Sequence, residues 1–267
     1  MQVQKYLREI EQECHVTVLF AVESGSRAWG IDSQDSDYDC RFIYMHEPDW
    51  YVSIRSPRDV IERFYEERLI DISGWDIRKA LFLLVKGNPS LYEWFRSPII
   101  YRDEPEMEIV KKLSVQMENS VAARHHYLGL LQSTYKRYRK YDNVVLKKYL
   151  YAVRPALALN WLRVYGEIPP IYLPAMRAGL SFTAELDETL DDLISKKKAG
   201  SEMSEGPRIP ILHEFIEDAR DWALNAEPKK FNWNHPDRFE QANEALRELV
   251  KSSDVNGGVA VSHVGGS

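Results

Sequence analysis

The feature that most constrains this chain is a strand-like segment that ends at a Gly-Ser step and is soon followed by two aspartates. The segment HVTVLFAVESGS is rich in β-branched and aromatic residues before Gly25, which predicts a buried strand and then a tight turn. Asp37 and Asp39 stand two apart at the mouth of a second predicted strand, residues 38–45. Because side chains alternate along a strand, we expect both carboxylates on the same side.

Two like charges held this close repel each other and need a compensating charge. A divalent cation with oxygen ligands is the common solution, and Mg²⁺ is the usual ion where phosphates are handled. A third carboxylate on a neighbouring strand would complete the site, and Asp71, inside the predicted strand LIDIS, is the best placed candidate. Asp76 fits better as a helix cap, and Glu67 lies on the turn that connects two predicted strands.

The Gly-Ser step suits a phosphate. Gly25 permits a sharp turn, and Ser26 offers a hydroxyl and a backbone N–H at the predicted start of a short helix. A helix start of this kind binds anions such as the β- or γ-phosphate of a nucleotide, and Arg27 adds positive charge. The sequence therefore predicts a phosphate cradle beside a metal site.

Simpler interpretations exist for each piece taken alone. The acidic run that begins at Asp35 also suits a solvated loop, and a Gly-Ser turn can join any strand to any helix. An EF-hand calcium loop fails on spacing, because Cys40 stands where glycine is needed and His46 where glutamate is needed. The order of strand, turn and paired aspartates is more specific than any of its parts.

The hydrophobic pattern divides the chain into an α+β part and a helical part. The first thirteen residues predict an amphipathic helix, residues 59–66 and 68–73 predict a hairpin, and a helix is expected between Asp76 and Gly87. After Pro98 strand signals fade. Helical patterns follow at 105–118, 120–140, 143–165, 182–198, 210–226 and 237–251.

These patterns predict an α+β fold with an all-helical second half. We expect one domain at 1–103 that carries the site, a helical domain at 104–251 that forms the other wall of a cleft, and a disordered tail at 252–267.

Composition excludes several classes of protein. No stretch approaches the ~18 consecutive apolar residues of a membrane helix, and the charged N-terminus does not resemble a secretory signal. Cys14 and Cys40 are too few for a disulfide framework, so we expect a reduced, cytoplasmic protein. The net charge of −6 argues against a bulk nucleic-acid coat protein but leaves room for a local basic groove.

One segment of this acidic chain is strongly basic. Between Thr134 and Arg154 seven lysines and arginines accompany a single aspartate, and five tyrosines are interleaved with them. Such a stripe suits phosphates and stacked bases, although a solvated helix face with inward-packed tyrosines is an equal interpretation. Lys147, Tyr151 and Arg154 share one helical face, which predicts a triphosphate clamp with a stacking ring. Alternatively, Arg154 pairs with an acidic residue across the domain interface.

The motif G-S-R-A-x-G, followed by S-D-x-D, resembles the signature of the DNA polymerase β-type nucleotidyltransferase superfamily. Gly25, Ser26, Asp37 and Asp39 match the motif directly. The GSRAWG start and the stretches at 74–95 and 146–162 are similar, more narrowly, to the RlaP/YcgL-like branch, which is named for an association with RNA repair. The resemblance covers roughly residues 15–175.

The resemblance implies a polymerase-β-like core, a small mixed sheet with helices, and a Mg²⁺-dependent transfer of NMP from an NTP to a hydroxyl. Two Mg²⁺ ions, or Mn²⁺ in their place, would lie among Asp37, Asp39 and Asp71 and release pyrophosphate, with Asp71 also accepting the hydroxyl proton. In this branch the basic helix faces the cleft. The implied nucleotide contacts are Gly25, Ser26, Arg27, Ser36, Lys147, Tyr151 and Arg154.

The branch name and the basic stripe favour an RNA 3′ end, in a tRNA-like or a broken RNA, as the acceptor. A small molecule or a protein side chain, as in antitoxin-type enzymes, fits the same chemistry. A non-catalytic NTP-binding regulator is the remaining alternative. The sequence identifies neither the acceptor nor the preferred base, and it is silent on the oligomeric state.

Overall fold

The computed structural model describes residues 2–54, 57–136, 143–199, 205–227 and 236–257. Five strands form a mixed sheet in the order β3-β4-β2-β1-β5, and two short strands pair elsewhere. The strands are β1 (Val16–Glu23), β2 (Tyr38–His46), β3 (Val60–Tyr65), β4 (Ile70–Asp76), β5 (Ile100–Asp103), β6 (Asn143–Val145) and β7 (Glu205–Pro207).

The longer helices lie mainly after residue 103. The helices before it are α1 (Gln2–Cys14), α2 (Gly25–Ala28), α3 (Pro48–Tyr51), α4 (Ile77–Val85) and α5 (Pro89–Phe95). Those after it are α6 (Met107–Gln116), α7 (Ser120–Tyr135), α8 (Leu146–Tyr165), α9 (Leu173–Ala178), α10 (Ala184–Lys198), α11 (Pro210–Asn225) and α12 (Pro236–Gly257). None of the described helices combines the length and apolarity that a membrane-spanning segment needs.

The first helix covers one face of the sheet. Val3, Leu7 and Ile10, the apolar side that the sequence predicts, are buried against strand residues that include Phe42 and Ile72. Hydrophobic burial of this amphipathic face fixes α1 on the sheet.

The predicted hairpin and the helix after it are confirmed. Strands β3 and β4 pair antiparallel, and β4 then runs parallel to β2. Asp76 is buried at the N-terminus of α4, where its carboxylate accepts hydrogen bonds from the Arg78 N–H at 2.8 Å and the Tyr51 hydroxyl at 2.8 Å. Capping of this kind satisfies an N–H that the first helical turn leaves unpaired.

The structure adds two features that the sequence patterns did not predict. Strand β5 pairs with β1 at an edge of the sheet just after Pro98, where strand signals appeared to fade. It has only four residues, none of them buried, so it lacks a hydrophobic period. Strands β6 and β7 place a two-stranded sheet within the part expected to be all-helical.

The end of the chain also differs from expectation. Helix α12 continues to Gly257, six residues into the segment expected to be a disordered tail, and residues 258–267 lie outside the described part. Residues 137–142 of the predicted helix at 120–140 are likewise outside it.

One hydrophobic core joins the second face of the sheet to the helices. It includes Phe20 and Ile43 of the sheet, Leu157 of α8 and Leu249 of α12, all buried. The helical part is therefore packed directly on the sheet, and α8 and α10 reach the loop that leads into β2.

Candidate active site

The Gly-Ser turn lies against the second aspartate. The Ser24 N–H donates to the Asp39 carbonyl at 2.8 Å, and Gly25 has a φ of +60°. A Cβ at Gly25 would stand 2.0 Å from Asp39 Oδ2, so only glycine permits this approach. Helix α2, which follows, has four residues, so a helix dipole contributes less to anion binding here than the sequence interpretation assumed.

The structure brings Asp39 and Asp71 together. They are register partners on the parallel strands β2 and β4, so they lie side by side on one face of the sheet. The Arg41 guanidinium bridges them, with Nη2 2.9 Å from Asp71 Oδ2 and 3.3 Å from Asp39 Oδ1. Sequence reasoning missed Arg41, although its position two residues after Asp39 places it on the same face.

Burial and neighbouring charge act on this pair of carboxylates. Burial raises the pKa of Asp39, the Arg41 guanidinium opposes that rise, and the carboxylates of Asp71 and Asp37 add to it. Asp39 is half-buried, so its ionised form is disfavoured relative to an aspartate in water.

A buried glutamate supports the start of β2. Glu23 is fully buried, accepts a hydrogen bond from the Asp39 N–H at 2.7 Å and another from the Tyr101 hydroxyl. Burial raises the pKa of Glu23 despite these two hydrogen bonds. Glu23 therefore anchors the backbone that carries Asp39, and Tyr101 of β5 contributes to this anchor.

The geometry separates the three candidates for a third carboxylate. Asp71 adjoins Asp39, whereas Asp76 stands at the opposite end of β4 and is used as the cap of α4. Glu67 is exposed in the turn between β3 and β4. Asp71 is the candidate that this placement favours.

Arg27 and Ser36 shape the loop that precedes Asp37. The Arg27 guanidinium donates to the carbonyls of Ser36 at 2.7 Å and Asp37 at 3.2 Å and stacks on the Tyr38 ring at 3.9 Å. The Ser36 hydroxyl accepts from the Ser33 N–H at 2.9 Å. The guanidinium of Arg27 is thus bound to the loop, and its contact with a phosphate stays a prediction.

A cavity of about 190 Å³ opens above the turn and the paired aspartates. Its lining residues come from the turn, the acidic loop and the helical part, namely Gly25, Ser26, Trp29, Asp35, Ser36, Asp37, Asp39, Tyr151 and Lys197. Lys197, on α10, has its ammonium 3.2 Å from Ser33 Oγ and 3.4 Å from Ser36 Oγ. Lys197 is the one basic side chain among the described lining residues. It is far along the chain from the serines that it contacts, so no local sequence pattern predicted it.

The expected clamp on α8 is only partly present. Tyr151 lines the cavity, and its pKa is raised by burial and then by the charges of Asp39 and Asp37. Arg154 instead is 3% exposed, binds Glu93 of α5 at 2.8 Å and lies 4.3 Å over the Trp29 ring. The structure thus shows for Arg154 the alternative interpretation, an ion pair across the interface, and its contact with a nucleotide stays a prediction.

The remainder of the basic stripe is partly structural. Tyr135 and Tyr149 are buried, and their hydroxyls bind the two ring nitrogens of His213 at 2.7 and 2.8 Å. These tyrosines join α7, α8 and α11 and are not available to stack on bases. The side chain of Lys147, like residues 137–142, lies outside the described part of the chain.

A larger cavity of about 600 Å³ lies between α9 and α10. Arg177, which lines this cavity, forms ion pairs with Asp187 and Asp191, which line it as well. None of the predicted catalytic carboxylates lines it, so the chemistry points to the smaller cavity.

The acidic end of the sheet suits a hard cation. Within the described residues no three Asp, Glu, His or Cys side chains form a group that could hold a metal ion, and Arg41 contacts both Asp39 and Asp71. The oxygen donors of Asp37 and Asp39 are nevertheless those that Mg²⁺ prefers. Burial is the main cause of the raised pKa of Asp39, and the carboxylates of Asp71 and Asp37 add to it, so a bound cation would favour the ionised form of Asp39.

The arrangement of a Gly-Ser turn after β1, paired aspartates at β2 and a third on its parallel neighbour is that of the DNA polymerase β-type nucleotidyltransferase class. The model of the family described as "RlaP: RNA repair pathway DNA polymerase beta family" matches residues 1–248. The chain therefore belongs to this family.

Two individual proteins are similar to the chain. YcgL of Bacillus subtilis, described as an uncharacterized protein, is 38% identical over 253 residues, which are 94% of this chain and 96% of YcgL. The crystal structure of a nucleotidyltransferase-like protein from Exiguobacterium sibiricum matches 96% of this chain and 77% of that chain at 13% identity, with a TM-score of 0.28. A similarity at that TM-score carries no argument.

Proposed function

We propose that the protein transfers a nucleoside monophosphate from an NTP to the 3′ hydroxyl of an RNA and releases pyrophosphate. The observation that carries the proposal is the pairing of Asp39 with Asp71 on neighbouring strands, directly beside the Gly25 turn and under Lys197. In the reaction the acceptor oxygen forms a bond to the α-phosphorus, and the bond from that phosphorus to the pyrophosphate breaks.

The cavity is sized for the phosphate end of the nucleotide. At about 190 Å³ it is smaller than the ~300–1,000 Å³ of a pocket that encloses a whole ligand. The Ser26 and Ser36 hydroxyls and the Lys197 ammonium would bind the phosphates, while the base extends outside. Trp29 and Tyr151, whose ring centres are 6.2 Å apart, line one side of the cavity and would shield the reacting phosphorus from water.

Asp71 would accept the proton of the attacking hydroxyl. It stands beside Asp39 and is held in place by Arg41, which fixes its orientation without occupying both of its oxygens in the contacts observed. Asp37, Asp39 and Asp71 would hold the divalent ions. Bound Mg²⁺ would neutralise charge on the triphosphate and on the departing pyrophosphate.

RNA is the proposed acceptor because the family takes its description from RNA repair. Cys14 and Cys40 are both unpaired, which suits a reaction in the reducing cytoplasm.

The test uses NTPs labelled at the α-phosphate with Mg²⁺ and a single-stranded RNA that ends in a 3′ hydroxyl. We expect label in the RNA with the wild-type protein and none with the Asp37→Asn, Asp39→Asn double variant. The same RNA with a 3′-terminal deoxy, blocked end controls for the attacked group. Equal labelling by wild type and double variant would refute the proposal, as would labelling of the protein or a small molecule in place of RNA.

A further inference from the structure

The face of the sheet that carries the aspartates continues to an aromatic ring with no role in the steps above. Phe64, on β3, is the register partner of Asp71 and is 54% exposed. Directly opposed residues of antiparallel strands point to the same side, with Cβ atoms about 4.5–5.5 Å apart. Phe64 therefore lies beside Asp71, on the side away from the cavity that holds Lys197.

A cation accompanies this ring. The Arg68 guanidinium lies 4.9 Å from the centre of the Phe64 ring, and Arg68 is exposed. The turn that positions it is unusual, because Glu66, Glu67 and Arg68 have φ values of 49°, 52° and 77°. Non-glycine residues rarely adopt this region, and backbone strain of this kind is concentrated at functional sites.

Two of the nearby acidic side chains are turned to other partners. Glu62 pairs with Arg58 at 2.5 Å, and Glu66 accepts a hydrogen bond from the Tyr6 hydroxyl at 2.9 Å. Arg68 is the charged residue that contacts the Phe64 ring. An aromatic ring can stack on a nucleotide base, and a guanidinium beside it can bind the phosphate of the same nucleotide.

We propose that Phe64 and Arg68 form the binding site for the terminal nucleotide of a single-stranded RNA acceptor. The inference rests on the proposed function and extends it to the acceptor. The ring stacks on the terminal base and the guanidinium binds the backbone phosphate, which brings the terminal hydroxyl to Asp71. In this arrangement the NTP lies over β1 and β2. The proposed proton acceptor, Asp71, is on the neighbouring strand β4, and the end of the RNA lies over β3.

The decisive measurement is RNA affinity in the absence of NTP, by fluorescence anisotropy of a 5′-labelled oligoribonucleotide. We expect Phe64→Ala to raise Kd about tenfold, because stacking on one aromatic ring contributes this order of affinity. Phe64→Trp should retain binding. The matched control is Phe82→Ala, since Phe82 is a similarly exposed phenylalanine beside Lys86 on α4, remote from the aspartates, and it should leave Kd unchanged.

A second RNA localises the contact. When the 3′-terminal nucleotide lacks its base, wild type should bind about as weakly as Phe64→Ala, and the variant should lose nothing further. Equal RNA affinities of Phe64→Ala and Phe82→Ala would overturn the inference. It would also be overturned if Phe64→Ala weakened binding of the intact RNA and of the RNA without the terminal base by the same factor. A shift of oligomeric state by Phe64→Ala in sedimentation, without a change in RNA affinity, would assign the ring to contacts between copies of the chain instead.

The binding measurement is independent of catalysis. A tenfold effect of Phe64→Ala on RNA affinity, together with no nucleotide transfer by wild type, would uphold the RNA site and refute the proposed reaction. Transfer to RNA that is unaffected by Phe64→Ala, in both Kd and the KM for RNA, would uphold the reaction and refute this site.

Discussion

Arg41 gives the acidic site a charge balance of its own. A single guanidinium contacts Asp39 and Asp71, so it offsets the repulsion between the two carboxylates. The balance is incomplete, because burial and the neighbouring carboxylates still raise the pKa of Asp39. Residues that bind or react with a substrate commonly reduce stability, and their replacement often stabilises the fold.

We predict that Asp39→Asn raises Tm at pH 7 while it lowers activity by on the order of 10²-fold or more. The raised pKa means that the folded state disfavours the ionised carboxylate. The free-energy cost of the ionised Asp39 in the folded state is absent below the ordinary pKa of aspartate, ~3.9, and is fully present above the raised pKa. The Tm advantage of the variant should therefore be seen at neutral pH and shrink to nothing as the pH falls to about 3.

The control for this prediction is Asp37→Asn. Asp37 is exposed, so its replacement relieves no burial and removes only the repulsion that its carboxylate exerts on Asp39; it should lower activity and raise Tm by less than Asp39→Asn does. Thermal unfolding followed by circular dichroism at several pH values distinguishes the two variants. A Tm for Asp39→Asn at or below that of wild type at pH 7 would contradict the prediction.

At the scale of the elements, α10 brings to the cavity a cation that sequence spacing did not predict. The sequence predicts a phosphate clamp on the face of α8 that carries Tyr151 and Arg154. In the structure Arg154 forms an ion pair with Glu93, which joins α8 to α5. The cation at the cavity comes from α10, whose Lys197 reaches the loop before Asp37.

We predict that Arg154→Ala destabilises the protein by about 3–5 kcal/mol, because it leaves Glu93 partly buried without its partner. Arg163→Ala, on the same helix, removes an exposed pair with Asp218 and should cost less than about 1 kcal/mol. Denaturant unfolding measures both. Equal losses in the free energy of unfolding of the two variants would show that the buried ion pair of Arg154 does not stabilise the contact between α8 and α5.

For α10 we predict that Lys197→Ala raises the KM for NTP about tenfold, since one charge-assisted hydrogen bond to a phosphate contributes this order of binding energy. Lys196→Ala is the matched control, because Lys196 pairs with Asp192 on its own helix at 2.6 Å. Steady-state kinetics with a saturating acceptor separates KM from kcat. An unchanged KM in Lys197→Ala would move the phosphate-binding role elsewhere.

Local signals explain which parts of the site were predictable from sequence. Gly25, Ser26, Asp37 and Asp39 lie within one short segment, where strand period and turn chemistry fix their neighbours. Lys197 meets Ser36 across 161 positions of the chain. A contact of that span depends on how helices pack on the sheet, and no local period records it.

The same reasoning applies to the fold. The apolar faces of α1 and α4 are strong periodic signals, and both helices occur where predicted. Strand β5 and the pairing of Arg154 with Glu93 depend on tertiary contacts, because an edge strand needs little burial and an ion pair has no sequence period.

On the scale of the whole molecule, the sheet and the helices share one hydrophobic core. Buried residues from Phe20 in β1 to Leu249 in α12 belong to a single cluster. The boundary near residue 103 that we propose from the sequence is thus a division of roles, between a sheet that carries the carboxylates and helices that wall the cavity.

We predict that the chain unfolds in one cooperative transition. Because the sheet and the helices share a core, loss of either part would expose the apolar surface of the other. Urea unfolding followed by tryptophan fluorescence and by far-UV circular dichroism should give coincident curves. Two resolved transitions, or midpoints that differ between the probes, would show that the parts fold independently.

The strand order has a consequence for how this site can vary between relatives. The Gly25 turn follows β1, while Asp39, Asp71 and Phe64 lie on β2, β4 and β3, and adjacent strands of this sheet are held about 4.8 Å apart by backbone hydrogen bonds. The spacing of the proposed catalytic groups is therefore set by the hydrogen bonds between strands and not by the lengths of the connecting loops. The segment between β2 and β3 can lengthen or shorten over evolutionary time while the distances that chemistry requires stay constant.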